Sequence, residues 1–177
     1  LTDTYGLGVV RVPLHRPSRR RSLGVRLFAD QTRQWRAVVS RAREIGATGQ
    51  PVLIATDSVA ESETLAEALR GAGLTPQVLN ARQDRQEARV VALAGQRGQV
   101  TVTTNMAGRG TDIPLGNGVE ALGGLHVISC QHNTERRIDR QLAGRCARQG
   151  QLGSIEYFLC LDARFCRESL PDGLRRF

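Results

Sequence analysis

Apolar positions along this chain alternate between two periods. From Asp30 onward, Trp35, Val38, Val39, Ala42 and Ile45 recur at the i, i+3, i+4 spacing of one helical face, with Asp30 as N-cap and Gly46 and Gly49 closing the segment. Residues 51–55 are a continuous apolar run, as expected of a strand covered on both faces. Ser58 starts a second helix that carries Val59, Leu65, Ala66 and Leu69 and is closed by Gly71 and Gly73, before a short strand at 77–79. The pattern continues with a helix over 85–94, strands over 100–104 and 125–130, a helix over 134–148 and a strand over 155–161. Strands alternating with helices predict βαβ units, hence an α/β fold with a mainly parallel sheet between two helical layers. Residues 5–14 suggest a short extended segment, leading through His15, Arg16 and Pro17 into a basic connector, Arg19, Arg20 and Arg21.

Composition narrows the chemistry. With 177 residues, 40% hydrophobic and 24% charged, the chain suits one domain. All 25 basic residues are arginine. A phosphate-binding P-loop needs a lysine after its glycines, so this chain is not a complete P-loop ATPase by itself. The net charge of +8 favours anionic partners: nucleic acid, nucleotide or an acidic membrane surface. At 4% aromatic content, stacking platforms for single-stranded bases are hard to build, which counts against nucleic acid. Cys130, Cys146, Cys160 and Cys166 form no C-x-x-C pair and fit reduced thiols in a cytosolic protein. No apolar run approaches the ~20 residues of a membrane span, so any membrane contact is peripheral.

Ligands of open α/β sheets bind at the carboxyl ends of the strands, which directs attention to the loops leaving them. Thr56-Asp57-Ser58 fits an ordinary helix N-cap. In the loop 105–112, Gly108 and Gly110 flank Arg109 and allow close backbone approach. Asp112 there offers a carboxylate for ribose hydroxyls or for orienting an arginine, with a turn pinned by Arg109 and Asp112 as the plain structural alternative. On the helix expected over 134–148, Ile138, Leu142 and Cys146 share a face, and Arg137, Gln141, Arg145 and Arg148 form an adjacent stripe, with Gly144 clearing space between its arginines. Such a stripe is ordinarily a solvated face; next to a phosphate site it suits an arginine-finger role.

The segments 51–58, 79–82, 94–95, 100–112 and 136–145, in this order, resemble the SecA preprotein-translocase motor ATPases, and the run 104–113 is specific to that family. The resemblance implies a RecA-like three-layer domain of the P-loop NTPase and superfamily-2 helicase C-terminal type, the second motor domain, over 23–177, with 1–22 entering from the first. It implies that Asp112, Arg109, Gly110 and Gln141 contact ATP and that Arg145 and Arg148 reach the γ-phosphate across the cleft. Magnesium would be held by the first motor domain, along with the lysine-bearing P-loop. The implied partners are that domain, the preprotein, the membrane translocon channel and an acidic membrane surface. The implied location is the cytoplasm, peripheral at the inner membrane.

Residues 129–135, Ala147 in place of the family's glycine, Ala60 in place of a glutamate, and the basic run 19–22 depart from the family pattern and suggest a divergent paralogue. Two further readings keep the same fold: the C-terminal motor domain of a superfamily-2 nucleic-acid helicase, and a basic binding module that does not hydrolyse ATP.

Overall fold

The computed structural model describes residues 2–10, 12–79, 87–104, 111–131, 133 and 135–161. After a single helical turn, α1 (Thr2–Tyr5), the elements run β1 (Arg19–Phe28), α2 (Gln31–Ala47), β2 (Val52–Thr56), α3 (Val59–Gly71), β3 (Gln77–Leu79), α4 (Glu87–Ala94), β4 (Val100–Thr104), β5 (Leu125–Ser129), α5 (Arg136–Ala143) and β6 (Leu152–Cys160). The six strands form one sheet in the order β1-β6-β5-β2-β4-β3, every adjacent pair parallel.

Alternation along the buried strands builds two cores. Val52 and Ile54 of β2 point to one face, where Trp35, Val38 and Ala42 of α2 and Leu65 and Leu69 of α3 cover them. Leu53 and Ala55 point to the other, against Val90, Val91 and Ala94 of α4 and Leu142 and Ala143 of α5. Helix starts follow the sequence expectation. Asp30 accepts from the Arg33 amide at 2.8 Å, and Ser58 accepts from the Glu61 amide at 3.2 Å while Glu61 reaches back to the Asp57 amide.

Two expectations are corrected. The run Arg19 to Arg21 is not a connector but the start of the edge strand β1, whose first residue pairs with Leu152. β1 is almost wholly exposed and so carries no apolar alternation, and its charges and the irregularity between Ser22 and Val25 suit an open edge. A boundary between residues 22 and 23 falls within β1. The helix expected over 134–148 stops at Ala143: Gly144 is its C-cap, and Ala147 takes φ +56°, a left-handed conformation that no helix continues through.

Candidate functional site

Because the sheet is parallel, α5, which follows β5, runs back toward the amino ends of the strands. Its last turn is tied there: Arg20, the second residue of β1, donates from Nη1 to the Ala143 carbonyl at 2.9 Å. The turn leaving α5 therefore lies beside the start of β6. Arg148 sits in it, four residues before Leu152. The two candidate arginines are thus near the amino end of β6, not at the carboxyl ends where the sheet rule pointed, and they do not continue a helical stripe with Arg137 and Gln141.

Arg148 nonetheless meets the second candidate loop. Its Nη1 donates to Asp112 Oδ1 at 2.7 Å, its Nε donates to the Gly144 carbonyl at 2.8 Å, and Asp112 Oδ1 also accepts from the Ile113 amide at 3.0 Å. Arg145 Nη1 donates to the Thr111 carbonyl at 3.0 Å. Two chain segments about 35 residues apart are stitched together by the two arginines singled out from sequence. Arg109 and Gly110 lie outside the described residues, as does an Arg109–Asp112 pair. Gln141 is exposed on α5 and is not among the side chains lining the cleft at this pair.

That cleft measures about 780 Å³, within the size of small-molecule sites, roughly 300–1,000 Å³. It is lined by Asp112, Cys146 and the segment 147–150, together with Leu14, His15, Arg16, Ser18 and Arg20. An acceptor for hydroxyls beside several cationic groups, in a cleft of this size, fits a nucleotide. Among the described residues no group of three or more His, Cys, Asp or Glu converges as metal ligands. Cys146 is buried, and that burial, offset in part by the nearby Arg20 charge, pushes its thiol up to about 11. The wall contributed by the incoming segment was not legible as a site, because a short Pro- and Arg-containing stretch gives no periodicity from which to place it.

A separate polar cluster lies on β5 and β6, on the face that α2 covers. Glu156, 2% exposed, accepts from Arg41 Nε at 2.6 Å and hydrogen-bonds His126 Nε2 at 2.9 Å, while His126 Nδ1 meets Ser154 Oγ at 2.7 Å. Burial alone would raise the Glu156 carboxyl, but the His126 and Arg41 hydrogen bonds outweigh it and hold the group below its ordinary range. Arg41 is likewise held above its usual value, the bonds to Glu156 and Glu44 overcoming desolvation. Sequence reasoning missed this cluster: its members are single polar residues in three elements, joined only by strand register, His126 lying opposite Ser154.

The chain matches the family described as the SecA P-loop domain over residues 17–122 and 116–176. The chain belongs to the SecA family. It is 49% identical over 171 residues to protein translocase subunit SecA 3 of Magnetococcus marinus, covering 97% of this chain and 26% of that protein. It is 50% identical over 162 residues to SecA 2 of Nitrosospira multiformis (92% and 24%), and 46% identical over 165 residues to SecA of Chlorobium limicola (93% and 16%). This SecA-family chain thus spans about a quarter or less of the curated relatives it matches. Among solved structures, the E. coli DEAD-box protein SrmB superposes with a TM-score of 0.66 at 18% identity, covering 88% of this chain and 83% of that one. Domain 2 of the DEAD-box helicase Mss116p gives 0.60 at 18%, covering 85% and 59%. At that identity the likeness shows the fold alone, which is RecA-like as expected from the sequence.

Proposed function

We propose that this SecA-family chain is the second nucleotide-binding half of an ATP-driven preprotein translocase motor and that residues 144–150 are its arginine loop. The observation that carries the reading is the Arg148–Asp112 pair. Its side chains are 35% and 57% exposed, so the bond is worth about 1 kcal/mol or less and is readily exchanged. Asp112, with Arg109 and Gly110 of the same motif, is the nucleotide contact of this half. Bound ATP supplies a phosphate chain whose charge competes with Asp112 for Arg148. Arg148 then turns its guanidinium fork from the carboxylate to the outer phosphate, and Arg145 leaves the Thr111 carbonyl to join it. Gln141 takes part if closure brings the exposed flank of α5 onto the first motor domain.

In this reading the lysine-bearing P-loop and the magnesium ligands belong to the first motor domain, and the incoming segment ends at Ser18, where β1 begins. The preprotein, the translocon channel and an acidic membrane surface are the partners of the whole motor, working at the cytoplasmic face of the inner membrane. Among the described residues no helix is long and apolar enough to cross a membrane. The deciding experiment is steady-state ATPase kinetics of the full-length protein. Arg148→Ala should lower kcat by about 10³ to 10⁵ with KM within a few-fold, and Arg148→Lys should not restore it. A kcat near wild type for both Arg145→Ala and Arg148→Ala removes the motor assignment and leaves a basic binding module.

A further inference from the structure

The loop that carries Arg145 and Arg148 has a strained backbone. Ala147 (φ +56°), Gln149 (φ +51°) and Gly150 (φ +80°) are all left-handed, and two of the three carry a Cβ that disfavours that region. Conformations of this kind persist when the surroundings over-determine them. The helix before the loop is only eight residues long, and its last carbonyls have no partners within the helix.

Besides the bonds of Arg145 and Arg148 to the segment at Thr111 and Asp112, a restraint comes from β1. Of the three consecutive arginines, Arg19 reaches Glu120 at 3.5 Å, Arg21 lines a different cleft beside Arg41, and Arg20 alone reaches α5, at the Ala143 carbonyl. That position is where a cation is favoured by the helix dipole as well as by the carbonyl, which otherwise accepts only the weak Cys146 Sγ donor at 3.4 Å among the described residues. Arg20 is also the register partner of Gly153, and a Cβ at Gly153 would stand 2.7 Å from the Ala147 nitrogen, so the loop rests directly on the rung that Arg20 belongs to. Just before this strand, the stem of Arg16 packs flush on Gly150, where a Cβ would stand 2.9 Å from Arg16 Cβ. Arg20 and Arg148 line the same cleft.

We infer that Arg20 is a positioning residue for the arginine loop: it fixes the end of α5 and thereby couples the placement of Arg148 to the segment that enters the domain through residues 14–18. This rests on the proposed role of Arg148. Movement of the incoming segment would pull on the first rung of β1 and β6 and so on the loop, which makes Arg20 a route by which the neighbouring part of the protein sets the geometry of the finger.

The test uses the full-length protein with Arg20→Met, which keeps the stem and removes the donor, alongside Arg20→Lys, Arg148→Ala and Arg21→Ala. Hydrogen exchange of peptides covering 144–151 should quicken by about tenfold in Arg20→Met while the rest of the domain is unchanged. Its kcat should fall about 10- to 100-fold with KM within a few-fold, the size of effect that misplacing a reacting group produces. Arg20→Lys, which still offers a charged donor to Ala143, should restore most of both, and Arg21→Ala should change neither. Unchanged exchange at 144–151 in Arg20→Met, with Arg148→Ala inactive, overturns the inference alone. Loosened exchange with normal kcat in both Arg20→Met and Arg148→Ala supports the anchoring and sinks the motor reading instead.

Discussion

Arg148 and Asp112 are 36 positions apart and share a hydrogen-bonded ion pair of 2.7 Å, which joins the loop after β4 to the turn before β6. The pair is half-exposed, and the same guanidinium is braced by the Gly144 carbonyl through Nε, so one half of its fork is structural and the other is available for exchange. Asp112→Asn in the full-length protein should weaken nucleotide affinity by about 1–3 kcal/mol, the cost of losing a charged acceptor. In the 177-residue chain the same change should alter stability by no more than about 1 kcal/mol. Fluorescent-nucleotide titration and urea unfolding check the two halves. Unchanged affinity with an intact fold would make Asp112 a turn residue only.

The isolated chain should show no appreciable ATPase activity. It contains no lysine for the phosphates, and among the described residues no acidic cluster suited to a metal, whereas phosphoryl transfer depends on both. Turnover of the purified chain decides the matter. Metal-dependent hydrolysis that persists at constant specific activity through successive purification steps would contradict it.

What was legible in the chain depended on whether the cause was local. The α2 face, Trp35 to Ile45, is dictated by its own spacing against a buried sheet, and it was readable. β1 was not: its residues are almost all exposed, and its place beside β6 joins two strands far apart in the sequence, which no periodicity encodes. The overrun of α5 has a similar origin. Residues 144–148 are compatible with a helix on their own, and the turn at Ala147 is set by packing on Gly153. Asp112, Arg145 and Arg148 were each identifiable by chemistry and motif. That Arg148 pairs with Asp112, and that Arg20 holds the end of the helix between them, required the fold.

Ala147 holds φ +56°, a left-handed conformation that a side chain disfavours. The left-handed conformation costs an alanine about 1–2 kcal/mol, while glycine loses about 0.4–1 kcal/mol through the greater freedom of its unfolded chain. The first effect is larger, so Ala147→Gly should stabilise the domain by about 0.5–1 kcal/mol. A rise in the urea midpoint at constant slope is the expected readout. A fall would mean that the Ala147 methyl contact with the start of β6 outweighs the backbone strain.

Glu156 supplies the last prediction. Its carboxylate is buried, meets Arg41 and His126 at hydrogen-bond distance and lies 3.8 Å from Arg26. Its folded-state pKa is depressed, because the hydrogen bonds to the charged form outweigh desolvation. A depressed carboxylate pKa contributes stability that is present above the unfolded value, about 4.3, and is lost as pH falls through the lower folded value. Glu156→Gln keeps the shape but removes the charge, leaving Arg41 without its buried partner, and should cost about 3 kcal/mol near neutral pH. The difference between wild type and Glu156→Gln should therefore be largest at neutral pH, begin to narrow as the unfolded chain takes up its proton near about pH 4.3, and close only as pH falls through the lower folded value. Urea unfolding of both proteins across pH 3 to 7 measures it. A penalty that stays constant down to pH 3 would show that the substitution acts through packing around His126 and Ser154 rather than through the charge on Glu156.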